Sequence, residues 1–387
     1  MVKASKDSGM YSFIDSGWRF GRITLLFNKM KQTAIVLLSV LAGSIGSAAA
    51  QDDESLAAIV EAWLASPHGD YHSHSFTYWN KDGEVPVACG ACHSEPGFLD
   101  FLGADGSAPG SVESPSAINS PIGCAACHTG AAHALDSVSF PSGAVLDNLG
   151  SSAVCTICHQ GRQSGGAVAK AVSGIGEDTV DTELAFINVH YGVAAAVMHG
   201  ADVQGGYHYP DRNYAGRFQH VPSASTCTAC HDPHTTQVAT ESCFACHRGV
   251  EDVGDIRTRH GDFDGDGDIS GGIHTEISGL HARLYDAIRA YAAEIAGEPI
   301  VYSPGSFPYF FADIDGDGSI ASEDAVMPNR YASWTPRLLK AAYNYQVVAK
   351  DPGGYVHNPT YLLQLLHDSL ENLSARTDID MTATRRP

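Results

Sequence analysis

Ten cysteines, arranged in five identical pairs, constrain this chain more than any other feature of its sequence. All ten fall in C-x-x-C pairs, and a histidine directly follows each pair. The pairs are Cys89/Cys92, Cys124/Cys127, Cys155/Cys158, Cys227/Cys230 and Cys243/Cys246, followed by His93, His128, His159, His231 and His247. With 19 histidines in 387 residues, chance would very seldom place one after every pair. This spacing is the attachment signature of a c-type haem.

The chemistry of attachment explains the spacing. Two thiols three positions apart each add to one vinyl group of the same porphyrin, and the adjacent imidazole reaches the iron from one face. Zinc sites combine two such pairs per metal and need no histidine after each pair. Disulfides within five identical two-residue loops would close almost no chain. The sequence therefore predicts five covalently bound haems c.

Each iron has a second axial position, which needs a further ligand. Fourteen histidines remain, more than five irons require. An iron held by two imidazoles transfers one electron and has no open position for a substrate, whereas a catalytic haem needs one free face. Because Pro233 stiffens the segment after His231, we expect His234 to serve a different haem. The distal candidates are His68, His190, His220 and His234, then His133, with His72 and His74 in reserve and Met198 as a substitute.

Residues 1–50 read as an N-terminal extension and a signal peptide. Lys29 and Lys31 flank the start of an apolar run, and small residues lead to a predicted cleavage site near Ala50. We expect translation to start at Met30. The apolar run is shorter than the roughly 20 residues that span a bilayer. We therefore expect export to the periplasm or the cell exterior, with no membrane span after cleavage.

Residues 51–250 hold all five attachment sites, at irregular intervals and in stretches rich in Gly, Ser, Ala and Pro. Such stretches show little helical or strand periodicity. We expect a mostly irregular multihaem cytochrome c fold, with short α-helices at the attachment sites and near residues 55–64 and 189–199, and little β-structure. The porphyrins would replace much of the usual core.

Residues 251–387 have a different pattern, which predicts a helical region. From Ile277 to Ile295 apolar residues recur at helical spacing, and Gly297 follows. Thr335-Pro336 and Asn358-Pro359 each place a capping side chain before a first-turn proline. We interpret the apolar faces of these helices as core.

Two acidic loops in this region resemble the calcium loop of an EF-hand. The second has carboxylates at positions one, three, five and twelve and glycine at six, with aspartate in place of the usual final glutamate. In the first, Ile273 stands at position twelve and only Glu276 offers a carboxylate beyond it. The loops predict one or two structural calcium ions, against the competing interpretation of solvated acidic turns. The candidate ligands are Asp262, Asp264, Asp266, Asp268, Asp313, Asp315, Asp317, Ser319 and Asp324.

The charge of the chain limits its partners. The net charge is −21, and loss of residues 1–50 would remove six basic and two acidic residues, leaving about −25. Such a charge argues against binding to nucleic acid or to anionic lipid. It favours cationic partners or metal ions.

Several longer phrases resemble those of the extracellular multihaem cytochromes of metal-reducing bacteria, including members that polymerise into haem-lined filaments. They are Ser66-Pro67-His68, Cys158-His159-Gln160-Gly161-Arg162, Asn188-Val189-His190-Tyr191, Cys230-His231-Asp232-Pro233-His234 and the stretch from Trp334 to Gln346. The resemblance implies bis-histidine haems in a closely stacked chain. In some filament members one iron takes a histidine from the next subunit, and His68 would then be the donor in a homopolymer of this chain.

These features predict an electron carrier. We expect five bis-histidine haems to relay electrons across the cell envelope to redox partner proteins or to extracellular acceptors. The alternative is a reductase that keeps one haem open for a small nitrogen or sulfur compound. None of the five sites has lysine in place of the attachment histidine, as the active haem of nitrite-reducing multihaem enzymes does.

Overall fold

The computed structural model describes residues 55–387, so the predicted signal peptide and its cleavage site near Ala50 lie outside the described residues. The chain divides into two compact units, Met1–Trp63 and Leu64–Pro387. Residues 55–64 form helix α1, as predicted. The second unit contains all five attachment sites and the C-terminal helices.

The part of the second unit up to residue 260 consists of short helices joined by irregular segments. Its single hairpin pairs strand β1 (Val138–Ser139) with β2 (Val145–Leu146) in antiparallel register. Short 3-10 turns lie at Gly200–Asp202, Pro222–Ala224, Cys227–Ala229 and Val253–Asp255. The α-helices are α2 (His74–Thr77), α3 (Val87–His93), α4 (Glu95–Phe101), α5 (Cys124–His128), α6 (Gly130–Ala134), α7 (Ser152–His159), α8 (Gly165–Ala171), α9 (Ala194–His199) and α10 (Glu241–Phe244).

The prediction of short helices at the attachment sites is confirmed. The first three sites lie on α3, α5 and α7, and each of these helices ends at the attachment histidine. The fourth site begins in a 3-10 turn, and the fifth begins on α10. Helical turns place both thiols and the imidazole of a site on one side of the backbone, because residues three and four apart share a face.

Longer helices follow, as the apolar periodicity predicts. They are α11 (Ile273–Tyr291), extended by a π-helical turn (Ala292–Ala296), then α12 (Pro336–Ala349), α13 (Gly354–His357) and α14 (Pro359–Ser374). A second hairpin pairs β3 (Ile300–Tyr302) with β4 (Phe310–Ala312), and a 3-10 turn covers Met327–Asn329.

The predicted ends of these helices are confirmed. The Thr335 hydroxyl accepts a hydrogen bond from the Leu338 amide at 3.2 Å at the start of α12. The Asn358 side chain accepts one from the Tyr361 amide at 3.1 Å at the start of α14. Both side chains satisfy amides that would otherwise have no partner in the helix. Gly297 ends the first helix with a φ of 79°, a left-handed conformation that glycine adopts without strain.

The core of the molecule lies among α11, α12 and α14, where Leu284 and Trp334 are fully buried. Buried polar side chains tie it to the attachment region. Asn344 exchanges two hydrogen bonds with the Tyr207 backbone, at 2.7 and 3.0 Å, and Gln346 accepts one from the Val189 amide at 3.0 Å. These bonds hold the segment that carries His190 against α12. A smaller core under the first three sites includes Phe98, Phe140 and Ile157.

The described residues are thus rich in helix and irregular structure, with two short hairpins, as expected for a multihaem cytochrome. Among residues 55–387, none of the helices has both the length and the apolar character needed to cross a membrane.

Candidate haem centres

One cavity of about 1730 Å³ connects the attachment sites. It exceeds the roughly 300–1,000 Å³ of pockets that hold a single small ligand. Nine of the ten attachment cysteines line it, and so do the attachment histidines of sites one, three, four and five. The second site lies at its margin, where Cys127 lines the cavity and Cys124 is exposed. None of the ten cysteines is in a disulfide, so each site offers both of the sulfur atoms that attach a haem c.

Each attachment histidine faces at least one other histidine of the same chain. Two imidazoles that bind one metal, each through a bond of about 2 Å, have ring centroids about 6 Å apart. The observed centroid distances match this spacing at all five sites. His93 faces His190 at 6.0 Å, His128 faces His234 at 6.1 Å and His133 at 6.4 Å, His159 faces His68 at 6.3 Å, His231 faces His357 at 6.3 Å, and His247 faces His220 at 6.0 Å.

The five predicted distal candidates therefore all lie beside attachment histidines. Two of them, His133 and His234, share the second site, and the His234 ring is the nearly parallel one, at 10° to His128. As expected from Pro233, His234 lies beside a site other than that of its neighbour His231. The reserve residue His74 faces Tyr78, and His72 stacks near Tyr71. Met198 lines the cavity.

Sequence reasoning missed His357, which faces the fourth site. It lies at the end of α13, far downstream of the last attachment motif. Its Nδ1 is 2.9 Å from both carboxylate oxygens of Asp351. An aspartate six residues before a histidine is a weak signal, and in the sequence His357 lies far from every attachment loop. The structure, unlike the sequence, brings the short segment before α14 to the fourth site.

The surroundings of His159 and His190 favour the neutral form of imidazole, which is the form that binds metal. Burial lowers the pKa of His159 to about 4, helped by the neighbouring His68. Burial likewise lowers the pKa of His190 to about 4, together with the charge of His93. At His357 burial also lowers the pKa, but the hydrogen bond and charge of Asp351 outweigh it and the net shift is upward.

Backbone geometry also orients individual imidazoles. The Nδ1 of His93 lies 2.9 Å from the Ser75 carbonyl, which leaves its other ring nitrogen for a metal. His190 has a φ of 78°, an uncommon conformation for a residue with a side chain and one found at functional sites. At Gly192 a β-carbon would lie 3.0 Å from Nδ1 of His159, so a larger residue would press on the third imidazole.

Comparisons with known proteins bear on the class of this chain. The chain is 25% identical over 409 aligned residues to the C-type polyheme cytochrome OmcB of Geobacter sulfurreducens, covering 85% of this chain and 51% of OmcB. This chain is a homologue of the polyhaem c-type cytochromes. It is also 25% identical over 362 residues to the C-type polyheme cytochrome OmcC of the same organism, covering 81% of this chain and 41% of OmcC. No family model matches the chain, and no solved structure does.

The predicted resemblance to multihaem c-type cytochromes is thereby confirmed, and these homologues imply haem c as the cofactor. The chain spans about half the length of OmcB and less of OmcC. The activity and partners of the whole relatives therefore apply to this chain only as proposals.

The attachment sites of this chain contact one another out of sequence order. The Cys92 thiol donates to the Ile157 carbonyl at 3.9 Å, and the Cys158 thiol donates to the Ala91 carbonyl at 3.8 Å. Site one therefore adjoins site three. The Cys227 amide donates to the Ser152 hydroxyl at 3.2 Å, which joins site four to the helix of site three.

Thiol contacts give the same order. The thiol of Cys155, in site three, lies beside that of Cys227, in site four. Site four is joined to site five because the Ala239 amide, on the short connection between them, donates to the Cys230 carbonyl at 3.0 Å. The second site branches off, held by Glu95, which accepts from two amides at the start of α5. The attachment points thus run one, three, four, five, with site two beside them.

The acidic loops bring some of their predicted ligands together. In each loop the first aspartate, Asp262 or Asp313, accepts hydrogen bonds from two glycine amides across the turn. Carboxylate oxygens that could share one cation come from Asp262, Asp264 and Glu276 in the first loop, and from Asp313, Asp315 and Asp317 in the second.

Other predicted loop ligands lie outside these groups, among the residues that the structure describes. Asp266 and Asp268 accept backbone hydrogen bonds within the loop, and the Ser319 hydroxyl donates to Asp317. Asp324 is exposed and does not join the second group. Glu276, the substitute for position twelve in the first loop, is in place, but Arg257 already pairs with it at 2.6 Å.

Proposed function

We propose that this polyhaem cytochrome transfers electrons through five haems c, each held between two histidines. The observation that carries the proposal is the pairing of every attachment histidine with another histidine at the spacing of two ligands on one metal. When bound, haem c supplies an iron that gains and loses one electron reversibly. His68, His190, His220 and His234 are the proposed distal ligands of sites three, one, five and two.

The chain itself does two things in this proposal. Its thiols fix the porphyrins, and its imidazoles close both faces of each iron, so that no face is open to a substrate. Its folded segments hold successive attachment points in contact, from Cys92 to Cys158 and from Cys155 to Cys227. Both features favour transfer over a reductase with one open haem.

The proposal is tested by counting the haems of the purified holoprotein and measuring the spin state of their irons. We expect five haems per chain by mass spectrometry and by pyridine haemochrome absorption. Electron paramagnetic resonance should show only low-spin ferric signals, because both axial positions are filled. A high-spin signal near one haem per chain, together with binding of cyanide or nitrite, would instead support the reductase.

We also propose export to the periplasm or the cell exterior, where redox proteins or extracellular acceptors take the electrons. The excess of acidic residues favours cationic surfaces or metal ions as partners. Polymerisation into a filament stays a prediction that rests on the sequence resemblance alone. His68, the expected donor to a neighbouring subunit, faces His159 of its own chain. Electron microscopy of culture supernatant tests assembly, and a population of discrete monomers would reject it.

Calcium is proposed as a structural ion at the two acidic loops. Asp262 and Asp313 order their loops through glycine amides, and neighbouring carboxylates converge on each. Chelation of calcium should lower the melting temperature of the holoprotein, since a ligand that binds only the folded state stabilises it. The Asp262→Ala and Asp313→Ala variants should melt lower and respond less to chelator. The exposed Asp286→Asn should behave as the parent, and an unchanged melting temperature on chelation would reject both sites.

A further inference from the structure

We infer that His357, held by Asp351, is the second ligand of the fourth haem, and that the Asp351 carboxylate makes this iron the hardest of the five to reduce. The inference rests on the proposed electron transfer through bis-histidine haems. It concerns a histidine outside the set that the sequence motifs indicate.

The geometry at the fourth site matches that of the other four. The rings of His231 and His357 are 6.3 Å apart at 34°, within the range of the four other pairs. Both oxygens of Asp351 lie 2.9 Å from Nδ1 of His357. Nδ1 therefore donates to the carboxylate, and Nε2 is left as the nitrogen that binds a metal. Carboxylate, histidine and metal in this order are a common way to orient a ligand and raise its basicity.

Asp351 is placed to act on a metal rather than to form a surface ion pair. Only 5% of the residue is exposed. The adjacent Lys350 does not neutralise it, because its ammonium lies over the rings of Tyr191 and Tyr309, at 3.5 and 4.2 Å from their centroids. A buried carboxylate is costly unless it faces positive charge. Here the carboxylate faces the Nδ1–H of His357, and the positive charge of the proposed iron would lie beyond that imidazole.

The sign of the effect follows from electrostatics. Ferric iron carries one more positive charge than ferrous iron, so a nearby buried anion stabilises the ferric state more. The reduction potential of this haem therefore falls. By comparison, Nδ1 of His93 donates to a neutral acceptor, the Ser75 carbonyl. Among the histidines that face one another at the five sites, all within residues 55–387, only His357 has a carboxylate as its hydrogen-bond partner.

The position of site four gives the effect a role. Its attachment cysteines adjoin site three on one side and site five on the other. If the reduction potential is lowest at site four, electrons reside preferentially on the haems on either side of it, at sites one to three and at site five. Asp351 would thus set the difference in reduction potential that an electron must overcome to pass through site four.

The first experiment replaces the charge and keeps the hydrogen bond. Asp351→Asn still offers an oxygen to Nδ1, so the fold and the low-spin state should persist. A potentiometric titration should show the most negative of the five midpoints shifted upward, by a tenfold change in the one-electron equilibrium, about 59 mV. Asp286→Asn removes an exposed charge from α11 and should leave all five midpoints in place. Unchanged midpoints in Asp351→Asn would overturn the role of the carboxylate.

The second experiment tests ligation directly. His357→Gly should turn one haem in five high-spin by electron paramagnetic resonance, with all five still attached through their cysteines. Added imidazole should restore the low-spin signal, which a purely structural role for His357 would not predict. His274→Gly, at an exposed histidine of the same region, should stay fully low-spin.

The two failures can be told apart. If His357→Gly keeps five low-spin haems, His357 is not the ligand, while the proposed electron transfer stands. If the parent already shows a high-spin haem, the bis-histidine proposal fails, whatever the variants do.

Discussion

Replacing Cys155 and Cys158 with alanine is expected to leave four haems on the chain and to divide the relay. Site three adjoins site one through Cys92 and site four through Cys227. Its loss therefore separates site one from sites four and five. Mass spectrometry should give four haems per chain, and pulse radiolysis should show slowed equilibration of an injected electron. Loss of the haem should also lower the free energy of unfolding by more than the roughly 3–5 kcal/mol that removal of a core tryptophan costs.

Cys124→Ala with Cys127→Ala is the matched control for this experiment. It also removes one haem, but from the branch at the margin of the cavity. We expect four haems and near-parental internal equilibration. If the two double variants slow electron redistribution equally, the order of sites described above does not govern transfer.

Trp334→Ala is expected to lower the free energy of unfolding by about 3–5 kcal/mol, the cost of emptying a large core site. Trp334 is fully buried, packs against Phe186 and Phe310, and donates its indole N–H to the Tyr331 carbonyl at 3.0 Å. Chemical unfolding followed by far-ultraviolet circular dichroism measures the loss. Ile314→Ala, at a side chain that is 71% exposed, should change the stability by less than about 0.5 kcal/mol. A loss below about 1 kcal/mol at Trp334 would contradict a core centred on α11, α12 and α14.

Local chemistry made part of this protein predictable. The attachment motifs are short and self-contained, so each names its own cysteines and histidine. The caps at Thr335 and Asn358 are likewise local, and both helices start where their Pro residues indicate. The stiffness of Pro233 alone led to the prediction that His234 serves a site other than that of His231.

The remainder depends on contacts between distant segments. Near His357 the sequence offers only the weak signal of Asp351, and only the folded C-terminal helices bring α13 to the fourth site. The order of sites was hidden for the same reason, because Cys92 meets Cys158 across packed helices. At the second acidic loop the position count named Asp324 together with Asp313, Asp315 and Asp317, but the fold gathers only the carboxylates of the last three.

The distance in sequence between His231 and His357 has a consequence for biosynthesis. The cysteines of all five sites are synthesised before His357, the proposed ligand of the fourth iron. A chain halted or cleaved after residue 250 would thus hold a fourth iron with one exposed face, open to peroxide and other small oxidants. Under the same proposal, the fourth iron would be closed to small oxidants only once α13 has packed against its site.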